Sequence, residues 1–160
     1  MTAVVRARRP EDIAPLLEIL QVVHEREGYP VRDEAVSEWW LATDDELGNA
    51  VVEVDGRVVG HVALHPAVAE TWAGVTEHHV DDLAEVSRLF TDRSQPGLGS
   101  LLLDEAVRQA RSAGRHPVLL VDPEGAALDW YGRRGWQRLG TRTQVWGPRT
   151  VEAVLMAPGS

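Results

Sequence analysis

The segment from Leu83 to Gly114 constrains the fold more than any other part of the chain. Leu83 to Thr91 reads as a strand, and Asp92-Arg93-Ser94-Gln95-Pro96-Gly97-Leu98-Gly99 follows as a turn dense in helix and strand breakers. Leu98, Leu102, Ala106 and Ala110 then recur on one helical face, flanked by Leu101, Leu103 and Val107, until Gly114 stops the helix. A helix launched from a glycine turn presents unpaired N–H groups and a partial positive charge, which is what a phosphate needs. Two familiar phosphate loops are excluded. A Walker A loop requires a Gly-Lys-Ser/Thr ending, and no lysine stands near Gly97; a dinucleotide fingerprint requires a third glycine where Leu102 sits.

The flanking sequence supplies more strands and helices. Val4 to Arg6 reads as a short strand. Pro10, Glu11 and Asp12 start a helix whose apolar face carries Ile13, Leu16, Leu17, Leu20 and Val23 or His24 and which ends at Gly28. A second, shorter helix is expected to carry Val36, Trp39 and Trp40 on one face. Ala50 to Val54 and Arg57 to Leu64, joined by Asp55-Gly56, form the clearest hairpin, because Asp-Gly accepts the positive φ values of a type I′ turn. Thr71 to Asp82 is polar and unpatterned, as expected of a mobile loop, with Trp72 a candidate lid residue. Pro117 to Val121 is short and continuously apolar, the pattern of a strand buried on both faces. Asp122-Pro123-Glu124 reads as the start of a helix ending near Gly135, and Trp136 to Trp146 and Val151 to Met156 as two closing strands joined through Gly147-Pro148.

Composition narrows the function. At 160 residues with no internal repeat or linker, one domain spanning 1–160 is expected. No apolar run approaches the roughly 20 residues of a membrane helix, and no basic-then-apolar leader opens the chain. Zero cysteines exclude a disulfide scaffold, a cysteine nucleophile and thiolate metal sites, so a cytoplasmic location is expected. A net charge of −9 argues against nucleic acid as a partner and favours an amine-bearing one. His61 and His65 share a strand face but lie about 13 Å apart at 3.3 Å per residue, too far to chelate one ion, and no metal site is indicated.

Two spaced motifs give a family resemblance. Glu85-Val86-Ser87-Arg88-Leu89-Phe90-Thr91 leading into Gly97-Leu98-Gly99-Ser100-Leu101-Leu102-Leu103 resembles the central strand, Arg/Gln-x-x-Gly-x-Gly/Ala turn and Leu-rich helix of the GNAT N-acetyltransferases. Ala127-Leu128-Asp129-Trp130-Tyr131-Gly132-Arg133-Arg134-Gly135-Trp136 resembles that family's Ala-x-x-x-Tyr-x-x-x-Gly-Phe segment, with Trp136 replacing Phe. The resemblance implies an α/β (α+β) fold of the GNAT-like acyl-CoA N-acyltransferase type. Its mixed, mostly antiparallel sheet of six or seven strands is flanked by about four helices and splays between the strands ending near Thr91 and Val121. It also implies acetyl-CoA as cosubstrate, wedged into that gap without a metal. Backbone groups of Leu89, Phe90 and Thr91 would bond pantetheine, N–H groups of Gly97, Leu98, Gly99 and Ser100 would meet the pyrophosphate, and Ala127 would lie against the cofactor. Arg93 and Arg134 are candidates for the remaining phosphate charge. Ser94 stands where the family's turn carries Arg or Gln, and Glu124 where many relatives carry Asn, departures that bear on the cofactor grip.

Acetyl transfer from a thioester needs a neutral amine, an oxyanion donor and a proton for the departing thiolate. Tyr131 is the candidate acid, since a phenol with a reference pKa near 10 is protonated at neutral pH. A backbone N–H near Leu89 or Phe90 is the candidate oxyanion donor. Glu85 is the candidate base, acting through water, with Ser87 on the same strand face; His24, His78 and His79 are weaker alternatives. The acceptor is expected to be a small molecule or peptide bearing a primary amine, and the terminal strands offer an edge through which two copies could pair as a homodimer. A non-catalytic acyl-CoA sensor or assembly module is the alternative function that the altered positions 94 and 124 favour.

Overall fold

A computed structural model describes residues 2–30 and 36–159. Among these residues seven strands form one sheet in the order β1-β2-β3-β4-β5-β7-β6. They are β1 (Ala3–Arg6), β2 (Gly48–Val54), β3 (Arg57–Pro66), β4 (Leu83–Thr91), β5 (His116–Val121), β6 (Trp136–Trp146) and β7 (Arg149–Pro158). Every pairing is antiparallel except β4 with β5, so the sheet is mixed and mostly antiparallel. The helices are α1 (Ile13–Glu27), α2 (Glu38–Leu41), α3 (Ala69–Trp72), α4 (Leu98–Ser112) and α5 (Ala127–Gly132). None is long and apolar enough to cross a membrane.

The strong local signals form as expected. Asp55 (φ 53°) and Gly56 (φ 78°) both take positive φ and close the β2–β3 hairpin. Leu98, Leu102, Ala106 and Ala110 seat α4 on one face of the sheet, in a cluster with Val59, Val62, Val86 and Leu119. Leu16, Leu20 and Val23 seat α1 on a second cluster with Leu41, Val51, Val58 and Phe90. β5 is buried from both sides, Leu119 and Val121 joining the α4 cluster while Val118 packs with Trp72, Leu83 and Leu155. Side chains this deeply buried contribute about 1.5–3 kcal/mol each.

Three local expectations are corrected. Asp122 caps a turn rather than a helix, its Oδ1 accepting from the Glu124 N–H at 2.9 Å, and α5 begins five residues later. α2 is a single turn, so the adjacent Trp39 and Trp40 cannot share a face: Trp39 is 59% exposed while Trp40 packs against the α1 cluster. The segment 71–82 is not a free loop. α3 and a 3-10 turn at Val80–Asp82 give it structure, and Trp72 is anchored at 2% exposure instead of serving as a lid. Buried apolar area overrode the polar composition there. Val31 to Ala35, between α1 and α2, lie outside the described residues.

Candidate active site

The sheet is divided at its centre. β4 and β5 pair only through Leu83–His116, Ala84–Pro117 and Glu85–Val118. Beyond Glu85, β4 continues to Thr91 with no strand partner on that side among the described residues, while Leu119 to Val121 of β5 pair with β7. The two strands therefore diverge in the expected place, leaving a wedge bordered by Leu89, Phe90 and Thr91. A peptide-like ligand can use such an edge as it would a missing strand.

A bulge shapes that edge. Opposite β3 the register moves from His61–Phe90 to Ala63–Ser87, so Arg88 and Leu89 together face Val62, and Arg88 takes a left-handed φ of 50°. Buried His61 holds the bulge by donating from Nδ1 to the Arg88 carbonyl at 2.9 Å. Its Nε2 accepts from Arg8 at 2.9 Å, and Arg8 in turn is held bidentately by Glu46 at 2.7 and 2.9 Å. Burial lowers the His61 pKa to about 4, which keeps the ring neutral and fixes this tautomer.

Glu85 stands where the strands part. Burial pushes its pKa up to about 7, against an opposing bond from the Trp72 indole N–H, 3.3 Å from Oε2. Beside it, His65 is opposite Glu85 in register and is half of a polar chain. Thr43 donates to Asp45 Oδ1 at 2.6 Å and so accepts from His65 Nε2 at 2.9 Å, which leaves His65 Nδ1 to accept from the Ser87 hydroxyl at 2.6 Å. Burial, then the Arg88 charge, lower the His65 pKa.

Tyr131 is buried against Trp130 and Trp136, ring centroids 5.0 and 5.8 Å away. Its hydroxyl has no hydrogen-bond partner among the described residues, yet it is not sealed from the surface. Burial raises its pKa, and so does the neighbouring Tyr29 phenol. Tyr29, at the end of α1, is itself pushed up to about 12 by burial, with the Arg88 charge and main chain acting in the opposite sense. Sequence reading missed Tyr29, since nothing in its spacing from position 131 announces that the two meet.

The α4 terminus is built as a cradle. Gly97 takes φ 87° with open space where a Cβ would stand, a conformation that favours glycine. Gly99 serves a different need: a Cβ there would lie 3.1 Å from the Trp130 ring. Arg134 stacks 3.7 Å above Trp130 and donates from Nε to Ser100 Oγ at 2.9 Å, which puts a guanidinium beside the first turn of α4. A groove of about 870 Å³ starts at Ser100 and Arg134 and runs along α4 past Asp104, Arg108 and Arg111. Arg93 turns to Glu27 of α1 instead, Ala127 is exposed at the start of α5, and Glu124 pairs with Arg149. The free N–H groups, the open space at Gly97, the Arg134 charge and the unpaired β4 edge fit an elongated ligand with a pyrophosphate and amide groups. His24 bonds the Pro30 carbonyl at 2.6 Å, His78 stacks on His116, and His79 caps the 3-10 turn; among the described residues none of these contacts involves Glu85. Among the described residues no cluster suited to a metal ion is present.

This arrangement can be compared with known proteins. The sequence matches the acetyltransferase (GNAT) family over residues 13–136. The chain belongs to that family. It is 33% identical over 103 residues to an uncharacterized N-acetyltransferase of Methanocaldococcus jannaschii, a match covering 61% of this chain but only 42% of that relative. Among solved structures, a ribosomal-protein-alanine N-acetyltransferase from Brucella melitensis superposes with a TM-score of 0.72 at 22% identity, covering 96% of this chain and 97% of the other. An N-acetyltransferase of Thermoplasma acidophilum in complex with coenzyme A gives 0.66 at 16% identity over the whole of both chains. At these identities the structural likeness carries the fold.

Proposed function

We propose that this GNAT protein transfers the acetyl group of acetyl-CoA to a primary amine, with residues 1–160 working as one domain in the cytoplasm. The observation that carries the reading is the wedge opened where β4 leaves β5, with Glu85 at its apex and the Tyr131 hydroxyl without a hydrogen-bond partner among the described residues. The cosubstrate supplies an acetyl thioester. Leu89 to Thr91 bind its amide groups along the open edge, and Gly97 to Ser100 with Arg134 hold its phosphates. Arg134 offsets the missing cation at Ser94, and the groove along α4 takes the nucleotide end. The N–H of Leu89 or Phe90 stabilises negative charge growing on the acetyl oxygen. Glu85, half deprotonated near pH 7, removes the ammonium proton through water so that the nitrogen lone pair can attack. Tyr131 keeps its proton at neutral pH and gives it to the sulfur as the C–S bond breaks.

The test is thiol release from acetyl-CoA with a panel of primary amines, with product mass confirming a gain of one acetyl group. Amine-dependent release is expected. Tight binding of acetyl-CoA without release to any amine would favour the sensor or assembly module, and absence of binding would overturn both.

A further inference from the structure

Arg88 stands apart from the other half-buried arginines at this end of the sheet. Arg6 is matched by Asp12 and Glu53, and Arg8 by Glu46. Arg88 has no carboxylate within 4 Å among the described residues. It is nevertheless rigidly placed. Its Nε donates to the Trp40 carbonyl at 2.8 Å, its guanidinium carbon lies 4.7 Å from the Trp40 ring centroid, and Nη1 is 3.4 Å from Ser87 Oγ and 3.5 Å from His65 Nδ1. Nη2 has no acceptor among the described residues. The left-handed bulge and the His61 bond to its carbonyl fix the backbone from which this side chain folds back toward Ser87 and His65, the latter opposite Glu85.

A guanidinium held in this way, part-desolvated and with donors unused, is built for the planar two-oxygen acceptor that a carboxylate presents. Resting on the acetyl-transfer reading, we infer that the acceptor is an amino-carboxylic acid, its carboxylate seated on Arg88 while its amine approaches Glu85. The cleft offers opposite charges to the two ends of such a zwitterion. A chain of net charge −9 repels carboxylates in general, so on this reading their recognition in the cleft falls to Arg88.

The experiment compares kcat/KM for free L-amino acids and for their C-terminal amides, by thiol release, in the wild type, R88K and R88Q. The best free acid is expected to exceed its own amide at least tenfold in the wild type. That ratio should fall toward one in R88Q and be partly kept in R88K, because lysine keeps the charge but loses the planar fork that matches a carboxylate. A retained thermal shift with acetyl-CoA shows that the variants are folded. Amides acetylated as well as acids, acetylation confined to amines without a carboxylate, or a ratio that survives R88Q would overturn the inference while leaving acetyl transfer standing. No acetylation of any amine by the wild type would overturn both.

Discussion

The α4 turn and the cleft beside Glu85 face the same wedge but are assembled in opposite ways. The turn is local: Gly97, Leu98, Gly99 and Ser100 are consecutive, and its binding groups are backbone N–H donors that any residue with the right φ could supply. The cleft is gathered from Tyr29, Trp40, Thr43, His65, Trp72 and Glu85 to Arg88, on five different segments, and its chemistry lies in side chains. On the proposed reading, the difference makes binding and chemistry separable. Damage to the turn should change affinity for acetyl-CoA and spare the pH profile, whereas damage to the cleft should do the reverse.

The largest effect is expected from Tyr131→Phe. Removal of the acid should lower kcat by about 10²–10⁴-fold while the thermal shift produced by acetyl-CoA is unchanged. Steady-state kinetics beside melting curves check it, and equal loss of both would merge the two regions.

Glu85→Gln comes next, with a fall of about 10²-fold in kcat/KM at pH 8. In the wild type the rate should rise through about pH 7 as the carboxyl loses its proton, and the variant should lack that limb. Stability should move the other way. The unfolded chain releases this proton near the ordinary value of 4.5, whereas the folded protein holds it to about 7. The wild type therefore loses stability as pH rises across that window, and Glu85→Gln does not. Denaturant melts at pH 5 and pH 8 measure the difference.

Gly97→Ala probes the turn. A left-handed φ of 87° at a residue with a Cβ should cost about 1–2 kcal/mol of stability and weaken acetyl-CoA binding, with the pH of half-maximal rate unmoved. The smallest effect is that of Trp72→Phe, which keeps most of the buried ring but removes the N–H that favours ionised Glu85. The rising limb should shift to slightly higher pH without a change in acetyl-CoA binding.

This contrast also explains what could be read in advance. The strand over Leu83 to Thr91, the α4 helix and the Asp55-Gly56 hairpin follow from short-range patterns, the splay was implied by the family resemblance, and all four came out as expected. Glu85 and Tyr131 could be named as candidates because each sits in a contiguous motif. The placements of Tyr29, His65 and Arg88 could not be read. Tyr29 lies more than 100 positions from Tyr131, and His65 reaches Ser87 only through a β3–β4 register that a bulge displaces. Trp72 misled for a related reason: its neighbours in sequence are polar, while its neighbours in space are Leu83, Val118 and Leu155. Arg93 shows the same limit, since its tie to Glu27 depends on where α1 ends.

The most direct test of the acetyl-CoA seat in the wedge is the thermal midpoint with and without excess acetyl-CoA, with ATP and NAD as controls. At 100 times its dissociation constant the ligand should stabilise the fold by about 2.7 kcal/mol, a rise of roughly 5–10 °C for a chain of this size. A rise specific to acetyl-CoA, kept in Tyr131→Phe and diminished in Gly97→Ala, is the predicted result. No rise, or an equal rise with ATP, would contradict the account.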